Sequence, residues 1–308
     1  MRKFLPFLFA AALASSCIDN AYDLSNVNTD DVTIGDEDSE YRLPLATVYV
    51  SMSELNEGGA DIKTLFDEAD IWLPSPLPGN AAYVDLRELQ NTPETITPLL
   101  DALIDQMMDD DAKITAVADL LAGKYLSTFL PLLPPNTDPA DFKPVFIEAF
   151  RNMPMLHDRL SGEVKSLAGS YLTELKVQDV TYDIGKIDIG GDVVDMLCEN
   201  LDSEGTPNPK NTLHLYGSIT SALPVSLRLV PYFSPTNVRF DVTVEPGKTN
   251  EIRETQLFES DLRQIIEGAE IILPVSLEKY YPGYDFTSDQ QIVITLRLIK
   301  RGGLKLNL

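Results

Sequence analysis

The C-terminal third of this 308-residue chain alternates apolar and polar side chains with a period of two. Val238, Phe240 and Val242, for example, fall on one face of an extended strand. Such alternation is typical of antiparallel strands that have one face on a core and one in water. It recurs at 212–220, 225–233, 237–245, 270–279, 292–300 and 303–308. Residues 173–308 are therefore predicted to form a β-sandwich.

Residues 92–172 change to the helical period. Their apolar residues recur at i, i+3, i+4 and i+7 in four successive stretches, which is the spacing of amphipathic helices. The sequence predicts a four-helix insertion within an N-terminal mixed region, residues 42–172, and the fold class is α+β. Strand candidates in the mixed region are 43–50 and 82–86, and short helices are expected in the sandwich at 192–201 and 260–267.

The N-terminus has the form of a secretory leader. Arg2 and Lys3 precede an uncharged apolar run that ends in Ala14, Ser15 and Ser16, directly before Cys17. The run is shorter than the roughly 20 residues that cross a bilayer, so residues 1–16 are predicted to be a cleaved signal peptide. Small residues before a cysteine resemble the lipobox of bacterial lipoproteins, although Ala14 stands where leucine is usual. This resemblance implies that Cys17 carries lipid; the alternative is an ordinary signal peptide and an incidental cysteine.

An acidic segment follows Cys17. Residues 17–41 hold few apolar side chains and many acids, so we predict a flexible tether between lipid and domain. The sequence "IDNAYDLSN" after the cysteine, the acids and then "YRLPL" resemble the start of a group of uncharacterised Bacteroidetes surface lipoproteins, most clearly over residues 13–50. The resemblance implies a lipid-anchored protein at the outer membrane or cell surface of a Gram-negative bacterium, with β-rich domains. It implies no particular activity.

The charge of the chain limits its partners. The formal net charge is −24, and it becomes −26 once Arg2 and Lys3 leave with the signal peptide. Nucleic acids and anionic lipid surfaces both need clustered Lys and Arg, so neither is expected to bind the body of the protein directly. The predicted membrane contact is the lipid on Cys17.

Residues with catalytic or metal-binding chemistry are sparse and scattered. The two histidines, His157 and His214, lie far apart in sequence and lack the spacing of a zinc site. Cys198 shares a predicted helical face with apolar residues, which indicates a buried structural thiol. The many acids single out no carboxylate pair of the kind that a glycosidase needs. We therefore predict no catalytic residue, no metal site and no cofactor.

One exposed-looking feature stands out, the aromatic stretch "EKYYPGYDF" at 278–286. Tyr280, Tyr281, Tyr284 and Phe286 surround a Pro-Gly turn between two predicted strands. Aromatic rings on a loop suit sugar stacking or a protein partner. The alternative is a hairpin whose rings cover the end of the sandwich core.

These observations favour a non-enzymatic surface lipoprotein with a role in adhesion, assembly or accessory binding. The main alternative is a glycan-binding lipoprotein that works beside an outer-membrane importer, with the aromatic stretch as its contact loop. A carboxylate-based hydrolase and a carrier of an apolar ligand are the remaining alternatives.

Overall fold

The computed structural model describes residues 32–56, 61–177 and 179–306, so the predicted signal peptide, Cys17 and most of the predicted tether lie outside the described residues. No helix within these ranges has the length and apolar character needed to cross a bilayer. The strands are β1 (Val32–Ile34), β2 (Glu40–Ser51), β3 (Val84–Asp85), β4 (Val180–Asp183), β5 (Thr212–Ser221), β6 (Val225–Leu229), β7 (Tyr232–Ser234), β8 (Val242–Val244), β9 (Thr249–Leu257), β10 (Glu270–Leu273), β11 (Val275–Tyr280), β12 (Gln291–Arg301) and β13 (Leu304–Leu306). The helices are α1 (Met52–Asn56), α2 (Ile62–Trp72), α3 (Leu86–Asn91), α4 (Thr97–Asp109), α5 (Asp111–Lys124), α6 (Leu126–Phe129), α7 (Phe142–Asn152), α8 (Pro154–Glu174), α9 (Gly191–Cys198) and α10 (Glu259–Gly268).

Strand β12 lies in the middle of a four-stranded antiparallel sheet with the order β2–β12–β5–β9. It pairs with β2 along its whole length, from Gln291 opposite Ser51 to Arg301 opposite Glu40. Its other edge pairs with β5 from Ile292 onward. The even-numbered residues from 292 to 298 are buried, as the alternation of the sequence predicts.

Two further sheets contribute to the same core. A four-stranded sheet has the order β3–β11–β6–β8, and a three-stranded sheet has the order β4–β10–β7. Pro274 separates β10 from β11, so the single strand predicted at 270–279 forms two short strands that belong to different sheets. Proline has no N–H to donate and marks the point where one ladder ends. The structure confirms the predicted α+β class with sandwich-like antiparallel sheets.

The N-terminal strands belong to the sheets of the C-terminal half. The candidate at 43–50 lies within β2, which pairs with β12, whereas the candidate at 82–86 is shortened to the two residues of β3, which pairs with β11. The buried side chains of the helices and of the sheets form one continuous cluster. Strand β1 falls within the predicted tether and pairs with β13, so the tether differs from the prediction in its last residues.

The predicted helical insertion corresponds to α4, α5, α7 and α8, with the short α6 between them. Leu103 and Met107 of α4 are buried, whereas Met108, which the spacing placed on the same stripe, is 38% exposed. Asp110 caps α5 because its side chain accepts hydrogen bonds from the backbone N–H groups of Ala112 and Lys113.

The alternating pattern missed some strands. It did not predict β9, whose buried residues Ile252 and Leu257 lie five positions apart, because the bulge beside Tyr216 interrupts the period of two. The strand predicted at 237–245 is reduced to β8. The shortened strand follows a turn in which Thr236 binds the Phe233 carbonyl and Phe240 packs against Phe233.

Lys300 interrupts the apolar face of β12. Its side chain is fully buried, and its ammonium group donates to the Arg301 carbonyl at 2.9 Å. Burial lowers the pKa of Lys300 from about 10.5 to about 8, because the charged form loses hydration; the charge of Asp202 opposes this shift. Folding at neutral pH therefore includes the cost of burying a charge.

This cost predicts a pH-dependent stability. Between about pH 8 and pH 10.5 the unfolded chain holds the Lys300 proton more firmly than the folded chain does, so the contribution of Lys300 to stability rises with pH in that window. Removing the amine in Lys300→Met should add stability at pH 7, and the gain should shrink as the pH approaches 10. Urea unfolding at several pH values measures this difference. Lys186→Met, at an exposed position, is the control, and a gain independent of pH would contradict the prediction.

Candidate functional site

The predicted aromatic loop connects β11 to β12 at one end of the β2–β12–β5–β9 sheet, which we call the main sheet; its outer face is the one that points away from the core. The described chain starts at the other end, where β1 leads into Glu40, the residue opposite Arg301. Strand β12 has 11 residues. At about 3.4 Å per residue it separates the loop from the chain entry by roughly 35 Å.

Two of the four predicted contact residues are buried. Tyr280 and Phe286 are 1% and 3% exposed, and both pack against Phe66 of α2. Ring centroids lie 4.6 Å apart for Phe66 and Tyr280 and 4.8 Å apart for Phe66 and Phe286. Tyr280 and Phe286 therefore fasten both ends of the loop to the helical region and offer no face to a ligand. The prediction that Tyr280 and Phe286 contact a ligand is therefore corrected. Burial of these large rings against Phe66 stabilises the fold more than their exposure to solvent would.

Asp70 of α2 holds the loop from inside. Its carboxylate accepts the Tyr280 hydroxyl at 2.7 Å and the backbone N–H of Gly283. Burial raises the pKa of Asp70, and the bonds from Tyr280 and Gly283 oppose that rise. Gly283 has a φ of +81°, a turn conformation that glycine adopts without strain. Asp70 follows Phe66 by four residues, so both project from one side of the helix toward the loop.

Tyr281 and Tyr284 remain reachable from solvent, together with Tyr83. Tyr284 is 65% exposed and Tyr83 is 39% exposed. The half-buried Tyr281 lies 5.6 Å from the Tyr83 ring, and the Lys279 ammonium lies 4.8 Å from the centre of that ring. We call Tyr83, Tyr281 and Tyr284 the accessible tyrosines. Sequence analysis missed Tyr83, since only the pairing of β3 with β11 brings it here.

The accessible tyrosines are suited to binding by contact and hydrogen bonding. Tyrosine rings give rigid apolar faces, and their hydroxyls supply polar tips. The Tyr281 hydroxyl lies 3.5 Å from Glu245 Oε2, and the Lys279 ammonium donates to Glu245 Oε1 at 3.3 Å. Tyr83 and Tyr281 thus lie beside the cationic Lys279 and the anionic Glu245, which also pairs with Lys248 at 3.7 Å.

The other residues considered in the sequence are spread through the fold. His214 is half-buried on the outer face of the main sheet, and burial lowers its pKa. His157 donates through Nδ1 to the Phe150 carbonyl at 2.7 Å. Cys198 is buried, and burial raises its pKa to about 11, which keeps the thiol protonated and unreactive. Within the described residues no group of three His, Cys, Asp or Glu side chains could hold a metal ion.

A second buried carboxylate, Glu68, tightens the helical region. It is 5% exposed, forms an ion pair with Lys124 and accepts the Tyr125 hydroxyl at 3.0 Å. Glu68 and Asp70 lie on the same helix, and each is bonded to internal partners. These bonds connect α2 to α5 and to the aromatic loop.

Comparison with known proteins identifies no family for this chain and a weakly similar solved structure. No protein-family profile matches the chain, and no curated protein matches it. Among solved structures, a "putative secreted protein" from Parabacteroides distasonis ATCC 8503 is similar at 18% sequence identity and a TM-score of 0.30. The match covers 41% of this chain and 38% of that one, so the chain spans well under half of its length. A TM-score this low does not relate the two folds.

The fastening of the loop by Asp70 leads to a stability prediction. Tyr280→Phe removes the hydroxyl that Asp70 accepts and should lower the free energy of unfolding by about 1–2 kcal/mol, because the half-buried carboxylate loses a partner. Tyr284→Phe, the matched control on the exposed part of the loop, should change it by less than about 0.5 kcal/mol. Urea unfolding measures both variants. Hydrogen exchange at the Gly283 amide should accelerate in Tyr280→Phe alone; equal behaviour of the two variants would refute the role of Asp70.

Proposed function

We propose that this chain is an exported lipoprotein, held at the outer membrane or cell surface by lipid on Cys17, which binds a partner at the accessible tyrosines and catalyses no reaction. The basic residues Arg2 and Lys3, the short apolar run and the small residues before Cys17 support export and lipidation. Two or three acyl chains make a durable tether, whereas one holds only marginally. The acidic residues after Cys17 support a solvated spacer.

The position of the aromatic loop carries the binding role. The accessible tyrosines lie at the end of β12 opposite to the end at which the described chain begins. The described chain therefore enters the body roughly 35 Å from these tyrosines, and the entry does not cover them. The loop is fixed beforehand by Asp70 and Phe66, so a partner would lose little affinity to the ordering of these side chains.

A protein partner, in adhesion or assembly, and a polysaccharide, beside an outer-membrane importer, are the two candidates for what binds. Flat tyrosine rings suit both kinds of partner. The polysaccharide is the second candidate because Lys279 and Glu245 lie next to the Tyr83 and Tyr281 rings. A sugar ring binds through hydrogen bonds at its edge and through contact with an apolar face, and this arrangement offers both.

The anchor predicts a change of location in Cys17→Ser. In the native host, the wild-type protein should fractionate with membranes, and its N-terminal peptide should carry the mass of a diacylated cysteine. Cys17→Ser should appear in the soluble fraction because no lipid can be attached. The buried Cys198→Ser is the matched control and should fractionate as the wild type does. Equal membrane association of Cys17→Ser, with an unmodified sulfur in the wild type, would remove the basis for the anchor.

The binding role predicts that Tyr284→Ala weakens association. Titration of the full chain with a panel of polysaccharides, followed by calorimetry, should give saturable binding if the partner is a glycan, and the substitution should weaken it at least tenfold, as for a central aromatic contact. Tyr49→Ala removes a ring that is 53% exposed on the outer face of the main sheet and should bind as the wild type does. Flat traces for every polysaccharide reject the glycan candidate. Unchanged binding in Tyr284→Ala places the contact elsewhere.

A further inference from the structure

The main sheet is irregular at one level of its outer face, around Arg297. Between Leu296 and Arg297 the pairing with β2 shifts register, from Ala46 to Pro44. The pairing of β5 with β9 also shifts, around Tyr216, the residue opposite Arg297. Bulges bend strands and redirect side chains, and they occur often next to binding sites.

Gly217 sets the strand spacing beside this point. A Cβ atom at Gly217 would lie 2.0 Å from the carbonyl oxygen of Thr295, so any side chain there would push β5 away from β12. Glycine thus allows the close backbone approach next to Tyr216. A concavity of about 320 Å³ lies beside the two bulges, lined by Arg42, Leu43, Pro44, Tyr216 and Arg297.

Arg297 carries an uncompensated positive charge in this concavity. Within the ranges that the structure describes, its guanidinium group has no ion pair or hydrogen bond, although acids outnumber bases two to one in the chain. The residues across from it are Pro44 and Tyr216, neither of which is an acid.

Two of the nearby acids, Glu40 and Glu254, are already engaged. Glu40 binds Arg42 at 2.7 Å and Arg301 at 3.3 Å. Glu254 binds Arg301 at 2.8 Å and lies 3.9 Å from His214. Arg42, Arg297 and Arg301 exceed Glu40 and Glu254 by one positive charge, and His214, whose pKa is lowered by burial, adds none at neutral pH.

We propose that the concavity binds the carboxylate of a hexuronic acid, a sugar ring that bears one carboxyl group. The free guanidinium of Arg297 offers the planar donor fork that fits a carboxylate, and the Tyr216 ring and Pro44 offer flat apolar surfaces for the sugar ring. The volume is at the small end of ligand sites and suits one ring. The site is separate from the accessible tyrosines, and the inference goes beyond the function proposed above.

The sheet geometry favours a sugar over an acidic peptide. Extended peptides bind sheets by adding a strand to an open edge, where backbone groups are unpaired. Strand β12 is paired on both edges at this level, so the concavity offers side chains and no backbone ladder.

Matched sugar pairs test the proposal. Galacturonate has a carboxylate at carbon 6 where galactose has a hydroxymethyl group, and glucuronate differs from glucose in the same way. With the full chain at low ionic strength, we expect saturable binding of at least one uronate, followed by nuclear magnetic resonance or calorimetry, and none of the neutral sugars. Arg297→Gln should weaken uronate binding at least tenfold, and Arg297→Lys should weaken it less, because the charge remains while the fork is lost.

Two control variants separate this site from others. Arg239 is exposed, lies outside the main sheet and likewise has no ion pair within the described ranges, so Arg239→Gln should bind uronate as the wild type does. Tyr284→Ala should also leave uronate binding unchanged, whether or not the aromatic loop proves to bind a partner. Each variant should keep the wild-type unfolding midpoint.

Four outcomes would overturn the proposal. They are the absence of uronate binding, equal binding of the neutral sugars, full binding in Arg297→Gln, and competition by acetate at the same concentration as uronate, which would leave a simple anion site. Binding of an acidic peptide in preference to uronate would assign the concavity to a different class of ligand.

Discussion

The pairing of β12 on both edges is the constraint on which the rest of the structure depends. Its hydrogen bonds join β2, from the N-terminal region, to β5, from the C-terminal half, in one sheet. Chain segments separated by more than two hundred residues thereby share one core, and the helices between them are held as an insertion. The same strand sets the distance between the chain entry and the aromatic loop, because its two ends carry these two features.

The joint between the helices and the sheets is made by few residues. Phe66 lies between Tyr280 and Phe286, and Asp70, one turn later, accepts the Tyr280 hydroxyl. The buried Phe66 ring and the half-buried Asp70 carboxylate thus both contact Tyr280, the last residue of β11. The apolar contact stabilises the joint, and the hydrogen bonds select one conformation of the loop, since a half-buried carboxylate without its partners would be costly.

Local patterns in the sequence predicted the elements better than their partners. The period of two located β5, β6 and β12, and the helical period located α4 and α7, because both patterns record which face of an element is buried. Strand β9 lies at a sheet edge and buries little, so it leaves a weak pattern. The pairing of β2 with β12 is a long-range contact that no local period encodes, and the division between the mixed region and the sandwich was drawn without it.

The candidate sites show the same division. The aromatic composition of the loop was visible in the sequence, but the choice between a buried ring and an exposed one depends on Phe66 and Asp70, which come from a distant helix. Tyr280 and Tyr281 are neighbours in sequence and alternate in direction along the strand, so one faces the core while the other faces Tyr83. The period of two at the end of β11 predicts that Tyr280 is buried and that Tyr281 faces outward. It makes no prediction for Tyr284, which lies beyond the turn.

The register of the paired strands determines which charged side chains lie next to each other in the sheets of this protein. With twice as many acids as bases, a basic side chain on an average surface position finds a carboxylate within reach, as Arg228 does with Asp241 and Arg263 with Asp195. Arg297 stays unpaired because the strands on either side present no acid at its level. The bulges beside Arg297 bring Pro44 and Tyr216 to that level, and so a local irregularity of the backbone creates a positive site on an acidic molecule. Composition alone argues against such a site, because the net charge averages over surfaces that the sheet keeps apart.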